Sequence, residues 1–416
     1  MIGSPLPPRG LYLHVPFCRS LCPYCDFVVI AGAAAFGPRS RLGGYLTAVE
    51  REIELRADAA DATFGSAGRD ATARDATARE GSSREPLTSL YLGGGTPSLL
   101  PADRLARLID LVRSRFGLAD AAEVTLEVNP GADERGDLAA AVRAGVTRVS
   151  IGAQVMNETA LRALGRRHAP SDVAATVAAA RDAGATSVSL DLLADLPDLS
   201  LESWSASLEA ALALQPDHLS IYALTLALDD DADDDRLATP AGALAWRGRA
   251  AAAQDEERAA AELEHLDARL PAAGYSWYEI SNWARPGHES RHNRRYWERA
   301  SVEAVGPGAH AFDGVTRRWN AANLDAWESA LHNGQLPPGG SAPLDDRRAA
   351  DAEGLILSLR MASGVDRAAA VAAGFGDAIA WGEEHELLAG HTSDGARVQL
   401  TLRGRLLSNE LFARIA

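Results

Sequence analysis

The stretch Tyr12-Leu-His-Val-Pro-Phe-Cys-Arg-Ser-Leu-Cys-Pro-Tyr-Cys-Asp-Phe27 contains every cysteine of the chain. Cys18, Cys22 and Cys25 follow a short apolar run with the spacing Cys-x3-Cys-x2-Cys. Three thiolates this close together can bind three irons of a [4Fe–4S] cube, and the fourth iron then stays open to a ligand that is not protein. The motif therefore predicts an iron–sulfur cluster that serves as a reaction or binding centre.

Two other interpretations of the cysteines compete with the cluster. An odd number of thiols in one short segment cannot form a disulfide framework, and the Pro- and Gly-rich residues 1–10 resemble neither a signal nor a transit peptide. A zinc site with His14 as the fourth ligand is the stronger alternative, because Cys3His sites are common. The motif lacks the second knuckle with which zinc fingers complete their tetrahedron, and this favours the cluster.

The composition predicts a soluble protein with more than one domain. A chain of 416 residues is too long for one ordinary core, and it contains no run of eighteen apolar residues that would span a membrane. The formal net charge of −16, without clustered Lys and Arg, disfavours nucleic acid as a partner. We expect a cytoplasmic protein, a location that suits an oxygen-sensitive cluster.

Short β-rich runs alternate with amphipathic helical patterns from residue 10 to about residue 225, which predicts βα units around a parallel sheet and an α/β fold. The clearest helix is predicted over 104–116, where apolar residues recur at steps of three and four. The predicted strands are 11–15, 88–92, 123–128, 148–151, 187–192 and 218–222. Ligand groups are expected at the carboxyl ends of these strands.

Two segments of the first region have little apolar content. Residues 57–86 include a tandem repeat, Arg-Asp-Ala-Thr-Ala at 69–73 and again at 74–78, and they predict a disordered surface insertion. Residues 229–235 hold six aspartates, for which a solvated linker is favoured over a metal site because like charges repel.

The domain boundaries follow from these composition changes. Residues 1–235 are predicted to form the α/β domain, and 236–343 a helical, His- and aromatic-rich segment that packs on it. Residues 344–416 are predicted to form a smaller, mostly helical domain that resembles a winged helix, with helices at 345–361, 377–389 and 406–415 and a ribbon at 397–402. The charge argument opposes a role for this domain in DNA binding.

Four further motifs follow predicted strands. They are Gly93-Gly-Gly-Thr-Pro97, Leu-Glu127-Val-Asn, Ile-Gly-Ala-Gln154 and Ser-Leu-Asp191-Leu. Glycines at such a turn leave no Cβ in the way of a ligand, and free N–H groups there are expected to bind a carboxylate or an amine-linked group. Carboxylates at the other strand ends can accept hydrogen bonds from hydroxyl and ammonium groups.

Together with the cysteine loop, these motifs resemble the radical S-adenosylmethionine (SAM) superfamily, and more narrowly its branch of haem chaperones and oxygen-independent coproporphyrinogen III dehydrogenases. The resemblance implies a partial (β/α)6 barrel, in which SAM chelates the open iron and an electron from the cluster breaks its sulfonium bond to give a deoxyadenosyl radical. The implied SAM contacts are Tyr12, Tyr24, Gly94, Gly95, Thr96, Glu127, Gln154, Arg166 and Asp191.

The chain departs from the pattern of these relatives at two places. Asp195-Leu-Pro-Asp198 stands where Gly-Leu-Pro-Gly is usual, so two glycines are replaced by charged residues. Val155-Met156 replaces a usual Ser-Phe beside Gln154. Both changes bear on how SAM is held, and neither concerns the cysteines.

Two features separate the chaperones from the dehydrogenases. Phe27 stands where the dehydrogenases carry a fourth cysteine, and Asp26-Phe27 matches the chaperones. His292-Asn-Arg-Arg-Tyr-Trp297 resembles the His-Asn-x-x-Tyr-Trp signature that is associated with haem binding in the chaperones. The resemblance implies haem b contacts at His292, Tyr296 and Trp297, because imidazole is a good axial ligand and aromatic rings pack on porphyrin faces. His288 and His310 are alternative ligands.

The sequence thus predicts a haem chaperone that binds haem, a [4Fe–4S] cluster and SAM. Its expected partners are respiratory haem proteins that receive haem and an electron donor for the cluster, with no nucleic acid and at most peripheral contact with a membrane. The alternative is a coproporphyrinogen III dehydrogenase, an enzyme of porphyrin biosynthesis that decarboxylates two propionates by radical SAM chemistry. A zinc-binding winged-helix regulator is a third and weaker interpretation.

Overall fold

The computed structural model describes residues 4–36, 40–66, 84–226, 241–390 and 395–416. The tandem repeat at 69–78 and the aspartate run at 229–235 lie outside these ranges. Within the described residues, no helix combines the length and the apolar character that crossing a membrane requires.

The six predicted strands form and lie parallel to one another in chain order. Their bounds are β1 Gly10–Val15, β2 Leu87–Gly94, β3 Leu118–Val128, β4 Arg148–Gln154, β5 Ser187–Ala194 and β6 His218–Ala223. Helices separate successive strands: α1 Leu42–Phe64, α2 Ala102–Phe116, α3 Leu138–Ala144, α4 Glu158–Ala163, α5 Pro170–Asp182 and α6 Leu201–Ala213. This alternation confirms the predicted βα units.

The two faces of these strands differ in polarity because successive side chains point to opposite sides of a sheet. In β1, Leu11, Leu13 and Val15 are fully buried in the core that the strands share with the helices. Tyr12 and His14 alternate with them and point to the concave side. The same concave side carries polar residues of the neighbouring strands: Tyr91, Glu127, Arg148, Ser150, Ser189, Asp191, His218 and Ser220. A polar lumen therefore faces an apolar outer shell.

The segment after the sixth strand differs from its predicted helical character. It contains α7 Ala241–Ala252, α8 Glu256–Ala272, α9 Arg291–Trp297 and α10 Leu324–His332, but also β7 Ser276–Glu279, β8 Asn282–Ala284, β9 Val302–Val305, β10 His310–Phe312, β11 Thr316–Asn320 and β12 Gly339–Pro343. Within the described ranges these strands extend the sheet at both edges, in the order β12-β11-β10-β9-β1-β2-β3-β4-β5-β6-β8-β7. In the part of the chain that the structure describes, the sheet curves as a partial barrel and does not close.

The predicted insertion begins later than expected. Helix α1 continues to Phe64, and Ala57 and Ala60 are buried in the core. Alanines contribute little to an apolar pattern, yet their small side chains allow a helix to pack closely. The composition of residues 57–64 therefore did not predict that they continue helix α1.

The C-terminal region forms its own small core of helices and a short sheet. Its elements are α11 Arg347–Leu359, β13 Val365–Asp366, α12 Arg367–Ala372, α13 Gly376–Glu384, β14 Leu388–Gly390, β15 Arg397–Leu400, α14 Leu402–Leu406 and α15 Ser408–Ile415. The helix predicted over 377–389 ends at Glu384 because residues 388–390 pair with β15. Arg360 fixes this region to the rest through the fully buried Glu279, at 2.6 Å.

Candidate functional site

The three cysteines lie in the loop that leaves the carboxyl end of β1. Cys18 ends the short strand Phe17–Cys18, which pairs with Ile30–Ala31 and so returns the loop to its starting point. A turn with a bond from the Cys25 N–H to the Cys22 carbonyl, at 3.1 Å, brings these two residues together. All three thiols are free and partly buried.

The thiols of Cys18 and Cys25 are poorly ionised without a metal. Burial raises the pKa of Cys18 to about 12. A hydrogen bond from Thr96 lowers this pKa, and repulsion from Cys25 and Cys22 raises it. Burial likewise raises the pKa of Cys25 to about 11. Since metal ligation requires thiolates, iron binding would release protons here.

The donor set suits a cluster better than a single zinc ion. Nowhere in the described ranges do three His, Cys, Asp or Glu side chains converge as ligands of one ion. Three thiolates can instead bind three separate irons of a cube. His14, the fourth ligand of the zinc alternative, is buried with Nε2 at 2.8 Å from the Val28 carbonyl and Nδ1 at 3.0 Å from the Tyr12 hydroxyl. Both ring nitrogens are hydrogen-bonded, so zinc ligation by His14 would require one of these bonds to break.

A polar brace connects the cysteine loop to the ends of β2, β3 and β4. The Thr96 hydroxyl lies 3.5 Å from the Cys18 Sγ, and Arg166 Nη1 donates to the Cys22 Sγ at 3.4 Å. Asn129 joins the two, since its Nδ2 donates to Thr96 at 3.0 Å and its Oδ1 accepts from Arg166 Nη2 at 3.0 Å. The sequence interpretation had missed Asn129; its position two residues after Glu127, at a strand end, was the available signal.

Arg166 also carries one N–H without a partner in the described structure. Its Nη2 donates to the Gly152 carbonyl at 2.7 Å, while its Nε is buried and has no hydrogen-bond partner in the described structure. A Cβ on Gly152 would lie 2.7 Å from Nη2, so only glycine allows the guanidinium this position. A buried N–H without an acceptor is costly, and this one is available to donate to a group bound in the cavity.

Two carboxylates occupy neighbouring strand ends. Glu127 accepts from the Tyr91 hydroxyl at 2.8 Å and from the Gly94 N–H at 2.9 Å, and burial raises its pKa to about 7 against these bonds. Asp191 accepts from the Ser150 hydroxyl at 3.0 Å, and burial also raises its pKa. Both groups can receive the hydroxyl or ammonium hydrogens of a ligand.

The glycine motif has a different role from the one expected. The N–H groups of Gly94, Gly95 and Thr96 are bonded to Glu127, Val15 and Phe17 respectively. A Cβ on Gly94 would come within 2.4 Å of the His14 ring, and Gly94 has φ +106. The expectation that free N–H groups here bind a ligand is therefore wrong, because the motif packs β2 against the cysteine loop.

One cavity of about 500 Å³ joins most of the predicted residues. Its lining includes Cys18, Cys22, Tyr24, Cys25, Gly94, Gly95, Glu127, Gln154, Arg166 and Asp191, together with Asn129, Arg148 and Asn293, which sequence reasoning had not assigned. Tyr12 and Thr96 lie behind this lining. Cavities of this size bury a small organic ligand.

The replaced glycines keep glycine-like backbone geometry. Asp195 has φ 53 and Asp198 has φ 58, both in the left-handed region. The Asp195 carboxylate is bonded to Arg258 at 2.5 Å, and its own N–H donates to Glu262 at 2.7 Å. Neither aspartate lines the cavity. The two charges are thus directed to helix α8 and to solvent.

His292 lies in the interior, on helix α9, which closes the lumen near the beginning of the strands. It is completely buried, with Nδ1 at 3.0 Å from the Ser89 hydroxyl and Nε2 at 3.0 Å from the Tyr296 hydroxyl. Burial lowers its pKa to about 3. Ligation of haem iron would require one of these bonds to break.

The two aromatic residues of this motif differ in their surroundings. The Tyr296 ring is 37% exposed, whereas Trp297 packs under the Arg360 guanidinium, 4.4 Å from the ring centroid. Of the alternative ligands, His288 bonds to Ser187 at 3.2 Å, and His310 is exposed and stacks on Trp319. The other side of α9 contributes Ser290 and Asn293 to the cavity floor.

Comparison with known proteins gives consistent results. A family model described as the radical SAM superfamily matches residues 12–211. The chain is 38% identical to the protein named heme chaperone HemW in Mycobacterium tuberculosis, over 98% of this chain and 95% of that protein. It is 34% identical to HemW of Escherichia coli, over 73% of this chain and 70% of that protein. The structure of coproporphyrinogen III oxidase (HemN) from Escherichia coli matches with a TM-score of 0.77 at 24% identity, covering 99% of this chain and 91% of that one, which shows a shared fold.

Proposed function

This chain belongs to the HemW family within the radical SAM superfamily, and from that premise we propose that it is a haem chaperone. It binds haem, a [4Fe–4S] cluster and SAM, and passes haem to respiratory haem proteins. The observation that carries the proposal is the single cavity in which three free thiols meet Arg166 and the strand-end carboxylates. The HemW name of relatives at 34% and 38% identity supports haem as the cargo.

Cys18, Cys22 and Cys25 would hold the cluster, and the cavity beside them would hold SAM. A bound cluster supplies an electron to the sulfonium of SAM. Arg166, with its unpartnered Nε, binds a carboxylate, while Glu127 and Asp191 accept hydrogen bonds from ammonium or hydroxyl groups. Gln154, Tyr24, Gly94 and Gly95 complete the walls.

The remaining predicted residues support this site from behind. Tyr12 holds His14 in one orientation, and Thr96 contacts the Cys18 sulfur. An electron donor for the cluster and recipient haem proteins are the expected partners. Free thiols as ligands suit a reducing compartment, so we propose a cytoplasmic location.

The cluster is tested by metal analysis of anaerobically reconstituted protein. We expect about four irons and four acid-labile sulfides per chain. The Cys22→Ser variant should lose most of both, while Ser20→Ala, a change in the same loop that removes no thiol, should keep them. Zinc in place of iron, or an intact cluster in Cys22→Ser, would contradict the assignment.

Haem delivery is tested separately. The protein should bind haem near stoichiometrically and transfer it to an apo form of a respiratory haem protein faster than free haem transfers. Anaerobic incubation with coproporphyrinogen III, SAM and a reductant should leave the porphyrinogen unchanged. Its conversion to protoporphyrinogen IX would show the dehydrogenase activity instead.

A further inference from the structure

Apolar side chains are concentrated at the mouth of the cavity. Nine large apolar residues are exposed in the described part of the chain, and three of them, Leu21, Phe27 and Tyr222, line this one cavity. Their exposed fractions are 36%, 67% and 41%. Leu21 and Phe27 belong to the cysteine loop, and Tyr222 lies near the end of β6 across the opening. Clustered exposed apolar groups mark binding sites.

These residues contribute little to the fold. Neither Leu21 nor Phe27 belongs to a buried core, although both lie in a loop whose other residues are fixed by hydrogen bonds. The walls of the cavity combine the polar side chains of Glu127, Asp191 and Arg148 with the apolar side chains of Val128 and Leu193. The large exposed apolar side chains lie at the rim, where a flat ligand would rest.

The rim also offers positive charge. Arg167 lines the cavity and its side chain is 45% exposed, in a pair with Asp133 at 3.0 Å. Arg166 lies next to it in the wall. A ligand with an apolar plane and carboxylates at one edge therefore matches both the apolar rim and these guanidinium groups.

We propose that haem lies across this mouth, with its ring on Leu21, Phe27 and Tyr222 and its propionates toward Arg167. The inference rests on the proposed function, and it moves the haem site from the closed α9 helix to the cysteine loop. His292 has both ring nitrogens bonded in the interior, whereas the rim needs no rearrangement to accept a porphyrin face. Haem in this position would cover the opening through which SAM enters and leaves.

The proposal is tested by haem titration of holoprotein with an intact cluster. Leu21→Ser and Phe27→Ser should each weaken haem affinity roughly tenfold or more, because each removes apolar contact area from the porphyrin face. Leu201→Ser is the matched control, since Leu201 is 38% exposed but lies on helix α6 outside the cavity. Its haem affinity should equal that of the wild type.

A second measurement follows the release of labelled SAM. Haem should slow this release at least several-fold in the wild type and in Leu201→Ser, and much less in Phe27→Ser. Wild-type haem affinity in both rim variants, or SAM release that haem leaves unchanged, would overturn the proposed position while haem binding itself stands. A wild-type protein that binds no haem would instead refute the proposed function.

Discussion

Gln154 has a strained backbone conformation and lies in the cavity wall. It lies at the end of β4, after a shift in register against β5, with φ 64 in the left-handed region. This conformation costs a residue with a Cβ about 1 kcal/mol. Strain of this kind persists where the position has a function, and the Gln154 side chain faces the cavity.

We predict that Gln154→Gly folds with a stability within about 1 kcal/mol of the wild type, because relief of strain offsets the greater freedom of glycine in the unfolded chain. SAM affinity should fall roughly threefold to tenfold, since the amide is lost. Urea denaturation and calorimetric SAM titration measure the two effects.

Asp198→Gly is the control for this prediction. Asp198 has φ 58, is exposed and lies outside the cavity. Its replacement by glycine therefore relieves the same backbone strain but removes no side chain from the cavity. Its SAM affinity should equal that of the wild type. Unchanged affinity in Gln154→Gly would exclude a contact between this amide and SAM.

At the scale of single residues, the sequence located side chains better than it located their partners. The common location of Glu127, Gln154 and Asp191 could be predicted because each lies near the end of a strand, and parallel strands end at the same edge. The bonds of His292 to Ser89 and Tyr296 could not, because they depend on where helix α9 enters the lumen.

Helix α7 acts as a clamp on the cysteine loop. Its Arg247 is buried, and its guanidinium donates to the carbonyls of Pro23 at 2.9 Å and Cys25 at 2.7 Å. It also pairs with Asp26 at 2.9 Å. These bonds fix the turn that carries two of the three thiols.

We predict that Arg247→Gln loses iron to a chelator several-fold faster than the wild type, because the turn between Cys22 and Cys25 is no longer held. Absorbance of the cluster after chelator addition gives the rate. Arg249→Gln, an exposed change on the same helix, should match the wild type. Equal rates for Arg247→Gln would show that the loop is held without the clamp.

Helix α1 joins the first and later parts of the sheet through one buried carboxylate. Glu52 is fully buried and accepts from the Gly306 N–H at 2.8 Å, from Asn320 Nδ2 at 2.8 Å and from Trp327 Nε1 at 2.9 Å. Removing an acceptor of this kind leaves several buried donors unpaired.

Glu52→Leu should therefore lower the free energy of unfolding by about 3–5 kcal/mol. Glu54→Leu removes a partly exposed carboxylate from the same helix, in a surface pair with Arg51, and should cost less than about 1 kcal/mol. Urea denaturation of both variants makes the comparison. Similar losses would contradict the special role of Glu52.

The strands differed in how well the sequence predicted their positions. The six parallel strands have β-branched and aliphatic residues between turn signals, so their positions were predicted within a few residues. The strands between residues 276 and 343 are three to five residues long and contain Trp, Arg and Gly. Their sequences do not favour a strand, and they adopt this conformation because they pair with the edges of the sheet.

At the scale of the whole molecule, many ionisable groups are buried inside the apolar shell. Burial lowers the pKa of His14 and His168 to about 4 and that of His292 to about 3, and it also lowers the pKa of His218 well below its usual value. The unfolded chain binds protons at these residues below about pH 6.5 and the folded chain does not. Each histidine therefore stabilises the fold above that pH and loses its contribution as the pH falls.

Buried carboxylates act in the opposite direction. Burial raises the pKa of Glu127 and Glu262 to about 7, so the folded state binds protons that the unfolded state has released. Their contribution is complete below about pH 4.5 and is lost as the pH rises through 7. Burial also raises the pKa of Glu52, Glu134 and Asp191, so histidines and carboxylates oppose each other between about pH 4.5 and 6.5.

One substitution isolates the contribution of the helix that closes the lumen. In cluster-free protein, His292→Asn should reduce the dependence of the unfolding free energy on pH by about 1.4 kcal/mol per pH unit between pH 4.5 and 6, because one proton fewer is taken up on unfolding. The slope is the readout, so a general loss of stability does not obscure it. His332→Asn, a change at an exposed histidine of α10, provides the comparison. If both variants keep the wild-type slope, His292 takes up no proton on unfolding and α9 does not hold it neutral in the interior.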